Sequence, residues 1–113
     1  MAKGFRSEAD LWTYMRPRIK GKWMRMENSV SEGFYDLFGS HRGRLLFVER
    51  KISDAPNRDL VEPGQIEFAK WMLQCSQDCY FVWGGRTTRN VLWTKSLDFS
   101  LKGLCVPDFW CGA

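Results

Sequence analysis

The segment RLLFVERKI, residues 44–52, ends an apolar run with a carboxylate, Glu49, and an ammonium, Lys51. Side chains two apart on a strand point to the same face. As a strand, the segment therefore carries Glu49 and Lys51 on one face with Leu45 and Phe47. Upstream, Asp36 stands between Tyr35 and Leu37, again a charge set into an apolar run. Asp36 and Glu49 are a short hairpin apart, so pairing of their strands would bring two carboxylates and one amine together. Two adjacent carboxylates repel and are costly to bury. A divalent cation removes that cost, and Mg²⁺ is usually held by one or two carboxylates with several waters. Such an ion polarises phosphate oxygens and acidifies a bound water. A lysine beside it can orient that water or stabilise charge developing on the phosphate. The pattern fits metal-dependent phosphodiester hydrolysis. Glu-x-Lys alone reads more readily as an ordinary ion pair at a sheet edge; the placement of Asp36 brings the two readings level.

The elements that must hold these residues are legible from patterning. Residues 7–17, SEADLWTYMRP, read as a helix with Ser7 as N-cap, Leu11, Trp12, Tyr14 and Met15 at helical spacing, and Pro17 as its end. KWMRMEN is a first strand, FYDLFG a second, SHRG a tight hairpin connection, and RLLFVERKI a third strand. A polar loop over residues 53–63 leads to a second helix, PGQIEFAKWMLQC, in which Ile66, Phe68, Ala69, Met72 and Leu73 recur near the helical period. That loop is long for a simple connection, so it either covers the site or merely links. CYFVWGG and NVLWTKS are two further strands around GRTTR, and the tail from Leu97 is expected to hold a short helix and a packed end. The order helix, three strands, helix, two strands predicts an α/β fold with a mixed sheet of about five strands flanked by helices.

The chain has 113 residues, which fits a single domain with a core over about 7–95 and a C-terminal extension over 96–113. The apolar fraction of 44% suits a globular protein. No apolar run approaches the length of a membrane span, and the basic start MAKGFRSEAD has no apolar stretch behind it, so the expected location is the cytoplasm. Seventeen Lys and Arg against thirteen Asp and Glu leave a net charge of +4, which leans toward a polyanionic partner. Cys75, Cys79, Cys105 and Cys111 read as reduced thiols. Their CxxxC and CxxxxxC spacings, with His41 far away, argue against structural zinc.

The ordered set KWMRMENSVSEGFYDLFGSHRGRLLFVERK followed by EPGQIEFAKWM resembles the PD-(D/E)xK nuclease superfamily, and within it the VRR-NUC group and small phage nucleases of Holliday-junction-resolvase type. The likeness spans about residues 7–95. Glu8 matches the acid of the family's first helix, GFYD its G-x-P-D strand with Asp36, ERK its E-x-K with Glu49 and Lys51, and Gln65 the glutamine opening the following helix. Tyr35 stands where the family usually has proline, a departure that touches strand geometry more than chemistry. Pro107 and Asp108 spell PD by letter, but too little chain follows for an E-x-K strand.

The resemblance implies a restriction-endonuclease-like core and a Mg²⁺-dependent DNA endonuclease, with Mn²⁺ as a substitute ion. In that reading Asp36 and Glu49 bind the metal, the backbone carbonyl of Arg50 is a third ligand, and Lys51 positions or activates the water. Glu8 completes the site, and Gln65 steadies Lys51 or contacts the phosphate. Glu27 is a rival for the place of Glu8; Glu8 is preferred because the resemblance puts an acid on that helix. If the protein is phage-encoded, it works in the host cytoplasm.

Phosphate contacts usually come from Arg, Lys and backbone N–H groups. Three clusters qualify: Arg16, Arg18, Lys20 and Lys22; His41, Arg42 and Arg44; Arg86 and Arg89. Small resolvases of this type act as homodimers on branched DNA, since two sites must cut two strands. Trp71, Trp83, Trp93 and Phe68 could furnish an apolar interface, although ordinary core positions suit most of them better. The same fold could instead serve as a catalytically silent nucleic-acid-binding module or as a scaffold for a host protein.

Overall fold

The computed structural model describes residues 3–26, 33–98 and 105–112. The elements are α1 (Glu8–Met15), β1 (Lys22–Arg25), β2 (Leu37–His41), β3 (Arg44–Ile52), α2 (Pro63–Gln74), β4 (Cys79–Gly84) and β5 (Val91–Lys95), with single 3₁₀ turns at Arg16–Arg18 and Arg58–Leu60. The helix and strand order is the one the sequence predicts. The Ser7 hydroxyl accepts from the Asp10 N–H at 3.1 Å and caps α1. Pro17 falls in the 3₁₀ turn that ends it.

The five strands form one mixed sheet in the order β1-β2-β3-β4-β5. All neighbours are antiparallel except β3 and β4, which are parallel and joined across α2. A parallel pair needs such a crossover. The two faces of β3 bury different things. Leu46 and Val48 pack with Leu11 and Met15 of α1, Val82 and Phe109 on one side of the sheet. Phe47 packs with Tyr35, Phe81, Trp83 and Ala69 of α2 on the other. The period-2 alternation of RLLFVERKI thus serves two cores at once, each fully buried Leu or Phe contributing roughly 1.5–3 kcal/mol.

Register fixes the site. The β2–β3 hairpin turns on Arg42 and Gly43, both at positive φ (53° and 73°), the geometry a two-residue hairpin loop requires. It pairs His41 with Arg44 and Leu37 with Val48. The residue before β2, Asp36, therefore lies beside the residue after Val48, Glu49. A slip of one residue would turn Glu49 to the opposite face. The expected second strand FYDLFG starts later than its letters suggest: the chain bends at Asp36, and pairing begins at Leu37. Just before the bend, Gly33 has φ of 88° and lies against the backbone of Gly64, where a Cβ would collide.

The segment 105–112 belongs to the fold. Phe109 is fully buried, Cys105 N–H donates to the Trp93 carbonyl, Lys20 N–H to Phe109 and Cys111 N–H to Arg18. Residues 105–112 form irregular chain, and residues 99–104, where the expected short helix would also fall, lie outside the described residues. Trp83 and Trp93 are core residues, at 0% and 2% exposure, which removes both as interface candidates. Trp71 stays 60% exposed, with Phe68 edge-on beneath it. Among the described residues no helix is long and apolar enough to cross a membrane.

Candidate metal centre

The parallel strands β3 and β4 end side by side, and in α/β sheets the carboxyl ends of strands are where ligands are bound. At that end Glu8, Asp36 and Glu49 each place a carboxylate oxygen within 4.8 Å of the other two. Each reaches the cluster by a different route. Glu49 comes from β3 on the α2 side. Asp36 comes from the bend before β2. Glu8 is the first residue of α1, so the helix's positive end faces the group. Glu27, the rival acid, lies outside the described residues.

The cluster is bonded internally. The Asp36 backbone N–H donates to Glu49 Oε1 at 3.0 Å. Lys51 Nζ is 3.7 Å from Glu49 Oε2, both side chains 12% exposed. Gln65 is buried, and its side chain lies where it favours the ionised form of Glu49. The Gln65 amide oxygen also accepts from the Glu62 N–H at 3.3 Å, closing a capping box at the start of α2. Gln65 thus lies by Glu49, whereas the resemblance assigns it to Lys51 or the substrate phosphate.

Burial dominates the electrostatics. Desolvation, with Glu8 nearby, raises the Asp36 carboxyl to about 6 against the pull of Arg50. Desolvation and the charge of Asp36 raise Glu49 to about 7, against the pull of Lys51. Carboxylates held this far above their ordinary range are poised to exchange protons for a cation. The donor set is all oxygen and all carboxylate, which suits a hard divalent ion such as Mg²⁺ or Mn²⁺ and not a thiolate-loving one. The four cysteines are free thiols and take no part in this cluster.

Two residues do more than the sequence reading assigned them. Arg50 was expected to offer a backbone carbonyl, yet its side chain is the larger presence. It is 7% exposed, and its Nε donates to Asp36 Oδ2 at 3.1 Å. Its Nη1 donates to the Glu8 carbonyl at 2.9 Å, and its backbone N–H to Asp36 Oδ1 at 3.3 Å. The signal was in the alternation: Arg50 shares a face with Leu46 and Val48, so it had to be buried and needed an anion. Tyr35, at the position where proline was expected, stacks on Phe81 at 5.5 Å and donates its hydroxyl to the Gln65 carbonyl at 3.1 Å. It fixes the start of α2 against the bend that carries Asp36. Tyr35→Phe should cost about 1 kcal/mol of stability by removing a buried hydrogen bond, measured as a fall of a few degrees in melting temperature, with the fold retained by circular dichroism.

The basic residues are not equally placed. Arg86 and Arg89 lie on the β4–β5 loop, at the sheet end that holds the cluster. The Arg86 and Thr87 N–H groups are held by Asp54 at 2.8 and 2.9 Å, which anchors the 53–63 loop to this turn. Arg89 forms a two-bond pair with Asp10, both at 3.2 Å, and lies over the Phe5 ring. Arg16, Ala9, Thr13 and Arg25 line a polar groove that leads from the Glu8 end of α1 along β1. Arg18 is folded over the Tyr14 ring at 3.8 Å, and Lys20 is exposed. Arg42 sits at the far hairpin beside Asp108, with Arg44 bound to the same carboxylate. The strand from Arg44 to Glu49 spans about 16 Å, so the structure does not bring Arg42 to the acidic cluster. Asp108, the PD look-alike, pins the tail to that hairpin.

No protein-family profile and no curated protein matches the chain. Among solved structures it is similar to Hjc of Archaeoglobus fulgidus, described as a Holliday junction resolvase from an archaeal hyperthermophile. The TM-score is 0.57 at 14% identity, over 91% of this chain and 87% of that one. At that identity the likeness shows the fold alone, a five-stranded mixed sheet between two helices in the α/β arrangement of that structure.

Proposed function

We propose that this chain is a divalent-metal-dependent DNA endonuclease that prefers branched DNA such as a four-way junction. The observation that carries it is the meeting of Glu8, Asp36 and Glu49, with Lys51 alongside, at the strand ends of a resolvase-type fold. Asp36 and Glu49 would hold a Mg²⁺ ion, with Glu8 and the Arg50 carbonyl completing the protein ligands. When bound, the ion would supply Lewis-acid stabilisation of phosphate charge and a more acidic water. Lys51 directs its ammonium to the scissile phosphate and its attacking water. Gln65 would favour the ionised form of Glu49 against the burial that raises it.

DNA would enter along the groove of Arg16 and Arg25 toward Glu8, with Lys20 and Arg18 beyond and Arg86 and Arg89 on the other flank. A homodimer, with the exposed Trp71 and the adjacent Phe68 as the first surface to examine, would present two such centres to two strands. Arg42 would serve only a long duplex arm.

The test is incubation with a four-way junction, supercoiled plasmid, linear duplex and single strands, each with Mg²⁺, Mn²⁺ or chelator. Cleavage that needs the metal and favours the junction is the expected result. Tight binding without cleavage under any metal would replace the enzyme by a binding module. The groove has its own check. Replacing Arg16, Arg18 and Lys20 with alanine together should reduce the slope of log affinity against log salt by up to about two to three units. An unchanged slope removes those residues from the DNA path.

A further inference from the structure

In the proposed centre the three carboxylates are not alone with Lys51. Arg50, between Glu49 and Lys51 in sequence, projects to the opposite side of β3 and is buried there. It engages both oxygens of Asp36, one through its backbone N–H and one through Nε, and the next nitrogen of the same guanidinium holds the first turn of α1 by the Glu8 carbonyl. We infer that the Arg50 side chain is a resident cation of the acidic centre, filling the flank of Asp36 where a second metal ion would bind, so that the three carboxylates take one divalent ion and not two. This rests on the metal-centre reading above and adds its stoichiometry.

Two arguments lead there. The first is charge. Three carboxylates against one guanidinium and one ammonium leave a single net negative charge when all are ionised. One divalent ion already makes that group positive, and a second would add its charge beside a poorly screened guanidinium. The second is geometry. Two-metal sites set their ions about 3.5–4 Å apart, so ligands must be offered on both sides of the pair. Arg50 already donates a hydrogen bond to each oxygen of Asp36, and what that carboxylate has left is shared with the neighbouring oxygens of Glu49 and Glu8, all within 4.8 Å. Arginine suits the position because its planar fork can serve Asp36 and the Glu8 carbonyl together; a lysine amine is a single point.

The experiment is uptake of Mn²⁺ by the full chain without DNA, read from the loss of the free-ion paramagnetic resonance signal, for the wild type, Arg50→Lys and Arg50→Met. The wild type should saturate at about one ion per chain. Arg50→Lys keeps the charge but releases the Glu8 turn, so it should still take one ion, on the order of tenfold more weakly. Arg50→Met should take up more than one. Two ions on the wild type would overturn the inference, as would Arg50→Met binding one ion with unchanged affinity. If Arg50→Met does not fold, the wild-type count and the Arg50→Lys affinity decide the matter. No uptake by the wild type would overturn the metal centre itself, and this inference with it, which is a different result from a count of two.

Discussion

Lys51→Ala should lower metal-dependent DNA cleavage by about 10²–10³-fold while leaving DNA affinity within a few-fold of wild type. The magnitude is that of losing one preorganised group aimed at developing charge in a water-poor site. Lys51 is suited to that task. Its side chain is 12% exposed, its ammonium lies 3.7 Å from Glu49 Oε2, and the Phe81 ring lies 5.9 Å beneath it. In the proposed centre a positive charge so placed would act on the reacting phosphate more than on the length of a duplex. The control is Lys70→Ala, which removes an exposed lysine paired only with Glu67 on the outer face of α2 and should change nothing. Single-turnover cleavage of a labelled junction separates the chemical step from product release. A Lys51→Ala rate within tenfold of wild type would show that the ammonium is a structural partner of Glu49 and no more.

The reasons Lys51 and Glu49 could be read from letters, and others could not, are physical. Alternation along a strand is a strict period, so RLLFVERKI announced which residues share a face, and the hairpin chemistry of Arg42-Gly43 fixed the register that sets Asp36 beside Glu49. Caps are local, so Ser7 and the start of α1 were legible. The same alternation shows that Arg50 is buried but not what it binds, because its partners come from two other parts of the chain and only the fold makes them neighbours. The same holds for Tyr35, whose hydroxyl meets a carbonyl thirty residues away. Charge clusters say least about place. Arg42 lies at the end of β3 remote from the acidic cluster, and a +4 chain does not say which of its cations face one groove. The packed end expected of the tail is present, but its letters do not say which residue packs it or where. Its place in the core depends on Phe109 reaching Tyr80 and Trp93, a contact that no local pattern encodes.

Without metal, the protein should become more stable as pH falls from 8 toward 5, and saturating Mg²⁺ should reverse that trend. Asp36 and Glu49 titrate near 6 and near 7 in the folded chain, above the ordinary values of 3.8 and 4.5. The folded state therefore binds more protons than the unfolded state between about pH 4 and pH 7. Stability must fall as pH rises through that window, because it falls wherever the native state holds the extra protons. Each raised carboxyl sets an upper bound of roughly 3 kcal/mol, and about 1–2 kcal/mol is expected in total once side chains relax and water enters. Glu49→Gln isolates the effect. It removes the charge that repels Asp36 but keeps an oxygen for the Asp36 N–H, so in chelator at pH 8 it should melt about 5 °C higher than wild type. Asp36→Asn should gain less, because it leaves the buried Arg50 guanidinium without its anion. Both variants should lose most of the stabilisation that Mg²⁺ gives the wild type, since the ligand is gone. A Glu49→Gln protein that melts lower than wild type in chelator at pH 8 would mean that Lys51 already compensates the charge of Glu49. The acidic cluster would then be a satisfied ion-pair network with no need of a metal.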